Sequence, residues 1–202
     1  MPDRVGVFID YQNSYRGARD LFHDLLAPHW DGQFWPDTLG TAIASDSPFE
    51  RELAEVRVYR GLPSSERDPK GYGAAHSQIT AWQRRPKTTV IWRPLRYPDD
   101  WPAVKAEEKG IDVAIAVDFV MGAVKGWFDV GVVMSRDTDL KPALEVVATQ
   151  LHAVRAEVAA WSLPGVHCGR LSIKQKNLWC HWLGEDVYRA AADTTDYTLA
   201  AP

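Results

Sequence analysis

Val5-Gly6-Val7-Phe8-Ile9-Asp10 is an uninterrupted apolar run that stops at a carboxylate. Continuous apolarity without alternation marks a strand covered on both faces, as strands of a parallel sheet are. The pattern returns in Asp129-Val130-Gly131-Val132-Val133-Met134, which ends at Ser135, and in Ala156-Glu157-Val158-Ala159-Ala160-Trp161. Glu55-Val56-Arg57-Val58-Tyr59-Arg60 alternates and Thr88-Thr89-Val90-Ile91-Trp92 is β-rich, so these read as the second and third strands. Helices are expected between them. One covers 13–26 with Leu21, Leu25 and Leu26 inward, and another 74–84. A third opens in Glu107-Glu108-Lys109-Gly110-Ile111-Asp112 and runs to 124, and a fourth covers 139–151. Strands alternating with helices predict an α/β fold with a mainly parallel sheet. Residues 27–48, rich in Pro, Gly, Asp, Ser and Trp, read as a long irregular excursion, and 172–192 as a helical tail.

The 202 residues suit one domain with a short appendage, drawn here as a domain over 1–165 and a C-terminal helical extension over 166–202. With 46% apolar and 25% charged residues the composition is globular, not disordered. No stretch approaches the ~20 apolar residues of a membrane span, so no membrane partner is expected. The N-terminus leads straight into a strand without a signal peptide, and two cysteines, Cys168 and Cys180, make no disulfide framework; a cytoplasmic location is expected. The net charge of −4 argues against a protein that coats nucleic acid. Its distribution is uneven: residues 1–50 hold three Lys/Arg against eight Asp/Glu, 51–109 twelve against eight, and 110–202 eight against eleven. An acidic first part followed by a basic middle suits a metal site beside a phosphate-contacting surface, and suits scattered solvated charge equally well. The nine tryptophans fit core and loop packing better than base stacking.

Open parallel sheets place their sites beyond the carboxyl ends of the strands. Asp10 ends the first strand, with Asn13 three residues on; Asp137 and Asp139 follow the fourth, after Ser135; Asp112 stands where a helix starts. Two bare carboxylates ~4 Å apart repel by about 4 kcal/mol at an effective dielectric near 20. A hard divalent cation removes that cost, and oxygen ligation suits magnesium or manganese rather than zinc. Each acid also has an ordinary explanation: Asp10 opens a turn that Asn13 caps, Asp112 caps the helix after Gly110, and Asp139 caps the helix containing Pro142. Asp118, inside Val113-Ala114-Ile115-Ala116-Val117-Asp118-Phe119-Val120, lies about 120° around a helix from Asp112. It acts behind the metal ligands or as a structural hydrogen-bonding acid.

Three segments together resemble the NYN domain family of the PIN-like nuclease superfamily. They are Val7-Phe8-Ile9-Asp10-Tyr11-Gln12-Asn13, then Lys109-Gly110-Ile111-Asp112-Val113-Ala114-Ile115-Ala116-Val117-Asp118, then Ser135-Arg136-Asp137-Thr138-Asp139-Leu140. The resemblance spans roughly 4–162. It implies a PIN-like three-layer α/β sandwich and a metal-dependent endoribonuclease in which magnesium or manganese activates water against the RNA phosphodiester. By motif position Asp10, Asp112 and Asp137 match the metal-binding acids and Asp139 the second acid of the last motif. Asn13 matches the asparagine of the first motif, and Ser135 the hydroxyl residue before the acids. The chain departs from the family pattern at Tyr11, where many members carry glycine, and at Leu140-Lys141, where an aromatic is common. The expected partner is single-stranded RNA, held by Arg57, Arg60, Arg84, Arg85, Lys87, Arg93 and Arg96; a homodimer is a candidate assembly. The different-class alternative is a non-catalytic RNA-binding or regulatory module on the same fold. An aspartyl-phosphate phosphatase would want an acid where Gln12 stands, and a zinc site would draw on His167, Cys168, Cys180 and His181, whose adjacent pairing suits tetrahedral ligation poorly.

Overall fold

A computed structural model describes residues 1–166 and 168–199; His167, one of the zinc candidates, lies outside the described residues. Six strands form one sheet: β1 (Asp3–Asp10), β2 (Arg51–Leu62), β3 (Thr88–Pro94), β4 (Val130–Met134), β5 (Arg155–Trp161) and β6 (Cys180–Leu183). Their spatial order is β3-β2-β1-β4-β5-β6, and every pairing is parallel. Six helices cover it: α1 (Tyr11–Phe22), α2 (Pro36–Ser45), α3 (Pro69–Gln83), α4 (Ile111–Val124), α5 (Lys141–Gln150) and α6 (Glu185–Ala191).

Alternation along β1 builds both interfaces. Val5, Val7 and Ile9 face one side and pack with Ala18 of α1, Leu39 and Ile43 of α2, Trp82 of α3 and Tyr188 of α6. Phe8 faces the other, against Ile115 and Phe119 of α4 and Leu144 and Val147 of α5. The result is a three-layer α/β sandwich with an all-parallel sheet. The strand order reverses direction between β1 and β4, so the chain leaves their carboxyl ends toward opposite faces and opens a crevice there.

Four expectations are corrected. The first helix stops at Phe22 instead of 26, and Leu25 and Leu26 are fully exposed rather than inward. The 27–48 excursion contains α2, begun by Pro36 at a position where a missing N–H costs nothing. Helix α3 starts at Pro69, five residues early, because Asp68 accepts a hydrogen bond from the Gly71 N–H and caps it. The tail is not one helix: Cys180–Leu183 extends the sheet as β6, and only Glu185–Ala191 is helical, packed on α2. The tryptophans divide. Trp82 and Trp161 are core, whereas Trp92, Trp127, Trp179 and Trp182 are exposed.

Candidate active site

Asp10 shares its strand face with Phe8 and is the last residue of β1, where the sheet ends and α1 begins. It caps α1 by accepting from the Asn13 N–H at 3.2 Å. The cap is therefore Asp10, not Asn13. The Ser135 hydroxyl, just past β4, donates to Asp10 Oδ2 at 2.9 Å and accepts from the Asp137 N–H at 3.0 Å. The Asn13 carbonyl accepts from the Arg136 N–H at 3.0 Å. These bonds stitch the start of α1 to the loop after β4, holding Asp10, Asn13, Ser135 and Asp137 as one unit.

Asp10 is buried, at 8% exposure. Burial pushes its carboxyl above the usual range and outweighs the Asn13 and Ser135 hydrogen bonds; the charges of Asp137 and Asp112 push the same way. Asp112 enters in the first turn of α4. Its place is set by Gly110, whose φ of 74° reverses the chain ahead of the helix in a conformation that glycine adopts without strain. Asp112 does not cap α4. Nor does Asp139 cap α5: Asp137 accepts from the Asp139 N–H at 3.0 Å and caps the 3₁₀ turn Thr138–Leu140, which leaves Asp139 exposed.

Glu108 was not singled out in the sequence, although it belongs to this cluster. It accepts from the Gly61 N–H at the end of β2. Burial raises its carboxyl pKa and the nearby Asp10 charge adds to the rise, against Arg60 and Arg16. The signal available was its place in Glu107-Glu108-Lys109-Gly110, two acids just ahead of the turn that positions Asp112.

Asp118 accepts from Tyr59 Oη at 2.8 Å and Arg57 Nη2 at 3.1 Å, contacts that suit a structural hydrogen-bonding acid. Arg57, one of the RNA candidates, is clamped by Glu55 and Asp118 and lies over the Trp127 ring. Arg60 donates to the Gln78 side chain and packs over Tyr11 and Trp82; burial lowers its pKa. Arg84, Arg85 and Lys87 follow α3 and precede β3, at the amino edge of the sheet, opposite the acids; Arg85 pairs with Asp37 at 2.9 Å. Arg93 and Arg96 lie at the carboxyl edge. Arg93 comes within 4 Å of where a Cβ on Gly110 would stand, and Arg96 bridges Glu107 through its backbone. Arg16 and Arg136 are two further exposed cations on the same edge, each lying in a part of the chain whose charge balance is acidic.

Zinc finds no support at His181, whose ring nitrogens face Asp46 and Glu157 at 3.1 and 2.8 Å. Among the described residues no three His, Cys, Asp or Glu side chains are drawn together tightly enough to hold an ion. The donor set nevertheless fits a hard cation in its chemistry: carboxylate oxygens only, with Asp10 disfavoured as a bare anion by its burial and, to a lesser degree, by the charges of Asp137 and Asp112.

A parallel sandwich with carboxylates at its switch point is the plan of a nuclease-like α/β domain. The sequence matches the family model of the NYN domain over residues 4–162, and the chain belongs to that family, within the PIN-like nuclease superfamily. The family is generally nuclease-like, and such nucleases typically use divalent metals. A crystal structure of a protein of unknown function from Vibrio parahaemolyticus RIMD 2210633 is similar in fold, with a TM-score of 0.52 and 20% identity over 78% of this chain and 81% of that one. A search of curated proteins finds no match. No described helix is long and apolar enough to cross a membrane.

Proposed function

We propose that the protein is a magnesium- or manganese-dependent endoribonuclease acting on single-stranded RNA. The observation that carries this reading is Asp10, buried at the carboxyl end of β1 at the switch point without a cation partner among the described residues, with Asp112, Asp137 and Glu108 on the same edge. A divalent ion bound there supplies positive charge, a lowered pKa for an attacking water, and stabilisation of the leaving oxygen. Asp10, Asp112 and Asp137 would hold it, with Glu108 beside them and Asp139 at the rim. Ser135 keeps Asp10 Oδ2 in place through a donated hydrogen bond. Asn13 has its carbonyl engaged by Arg136, which leaves its Nδ2 hydrogens for a phosphate oxygen. Arg16, Arg93, Arg96 and Arg136 offer the phosphate contacts along the same edge.

The test is cleavage of single-stranded RNA across a manganese titration, for wild type and Asp10→Asn. The variant is nearly isosteric and relieves carboxylate repulsion, so its melting temperature without metal should equal or exceed that of wild type. Wild type should cut and the variant should not. Wild-type rates in the purified variant would overturn the assignment of Asp10. RNA bound but uncut by wild type at every metal concentration would point instead to a non-catalytic RNA-binding module.

A further inference from the structure

We propose that the cavity between α1 and the ends of β4 and β5 is a nucleobase subsite, taking the base of a nucleotide that adjoins the cleaved bond; this rests on the nuclease reading. The cavity adjoins the acids: Asn13 and Ser135 line it, and Ser135 is bonded directly to Asp10. Its depth is apolar, formed by Met134, Ala159, Ala160 and Trp161. Its rim is polar, formed by Asn13, Asp20 and Arg136. An apolar slot with a few polar groups at its mouth suits a flat ring whose faces seek contact and whose edge seeks hydrogen bonds.

The walls are held before any ligand arrives. Trp161 Nε1 donates to the Ser14 carbonyl at 2.8 Å, and the Ser14 hydroxyl donates to the Met134 carbonyl at 3.2 Å. The helix interior at position 17 is glycine, a residue that disfavours the helix there relative to alanine. A Cβ on Gly17 would stand 3.1 Å from Trp161 Cδ1 and 3.7 Å from Arg136 Nη2. Glycine thus lets the indole and the guanidinium approach α1 and define the slot. Among the described residues the Arg136 guanidinium makes no ion pair and is exposed, so its plane is available to stack on a base.

The experiment uses a short single-stranded RNA with a mapped cut and a series in which one nucleotide at a time is abasic. Loss of a stacked base should lower kcat/KM about tenfold at one position adjoining the cut, and little elsewhere. Gly169 lies at the cavity wall, and a Cβ there meets nothing within 4 Å, so Gly169→Trp is the variant chosen to fill the slot, its fold checked by an unchanged melting temperature. It should remove the difference between natural and abasic RNA. Equal cleavage of every abasic RNA by wild type overturns the subsite while leaving the nuclease reading intact. If wild type cuts no RNA, the nuclease reading fails and the cavity is tested separately through Cys168, which lines it. Alkylation of Cys168 by iodoacetamide, followed by peptide mass spectrometry, should be slowed by nucleoside monophosphates and not by ribose 5-phosphate. Equal effects of the two, or none, overturn the proposal.

Discussion

Replacing Arg93 and Arg96 together by Ala should flatten the salt dependence of RNA binding, whereas replacing Arg84 and Arg85 together should not. Both pairs belong to the basic middle of the chain, but β3 stands between them and carries them to opposite edges of the sheet. Each phosphate contact on a single strand contributes a slope of about −0.7 to log K against log salt. Two lost contacts remove about 1.4 from the slope, so over a fourfold rise in salt the wild type loses about sevenfold more affinity than the variant. The fold should tolerate both changes. The Arg96–Glu107 bridge is made by backbone and survives alanine. Arg85→Ala costs some stability, because Asp37 is buried and loses its partner, but Asp37 stays in the first turn of α2, where a negative charge is favoured. Fluorescence anisotropy of a labelled single strand, measured on an Asp10→Asn background across a salt series, reads the slopes directly. A flattened slope in the Arg84/Arg85 variant, or an unchanged one in the Arg93/Arg96 variant, refutes the placement of the RNA on the acid edge.

Asp137→Ala should abolish cleavage and manganese-induced stabilisation together, as linkage requires, while Asp139→Ala retains residual cleavage at high manganese; melting and cleavage over a metal titration decide, and the reverse order sinks the assignment. Glu108→Gln keeps an oxygen for the Gly61 N–H but removes a charge, so manganese affinity should fall with melting temperature preserved; calorimetric titration on an Asp139→Ala background keeps the rim acid out of the comparison. Glu157→Gln should cost about 3–5 kcal/mol in denaturant unfolding, because Arg51 would be left buried without its bidentate partner. Burial alone would raise the Glu157 pKa, but hydrogen bonds from His181 and Arg51 prevail and hold it below the usual range. That stability is present above the unfolded pKa and lost as pH falls through the folded one, so the gap between wild type and Glu157→Gln should narrow on acidification; a gap independent of pH contradicts this.

The strands that make the sheet were legible because burial on both faces leaves continuous apolar runs, as in Val5–Ile9 and Val130–Met134. That the candidate acids share one edge was legible because a parallel fold puts strand ends on one edge. Helix α2 was not, since its buried Leu39 and Ile43 sit among Gly, Thr and Ser that read equally as loop. The four residues of β6 are too few to show a period, and they are a strand only because β5 offers a free edge. Helix α4 is apolar on its exposed positions as well, at Val113, Val117, Met121 and Val124, so periodicity could not tell which face turns inward or that Asp118 meets Tyr59 and Arg57. The basic residues divide between the two edges of the sheet for a geometric reason. Residues 84–87 and 93–96 are close in sequence, yet a strand rises about 3.3 Å per residue, and the seven residues of β3 are enough to cross the sheet.

The buried acids of this protein separate by what faces them. Glu157 has Arg51, Asp37 has Arg85, and Asp193 accepts from Tyr197 Oη at 2.8 Å and the Thr195 N–H at 3.1 Å. Asp10 is as buried as Asp37, yet no cation pairs with it among the described residues. Its neighbours in charge are Asp112, Asp137 and Glu108. A fold whose only interest is stability would resolve that arrangement as it does at Asp118, with an arginine and a tyrosine hydroxyl from the facing strand β2. Instead Ser135 and the Asn13 N–H hold the Asp10 carboxylate in one orientation without cancelling its charge. Two hydrogen bonds fix where the oxygens point, and the absence of a paired arginine leaves their negative charge for something from outside the chain. Asp112 and Asp137 arrive from two other β–α units, so their approach is set by the sheet rather than by a local loop. Orientation without neutralisation is the condition under which a buried acid can bind a cation, and within this molecule it is met at the switch point between β1 and β4.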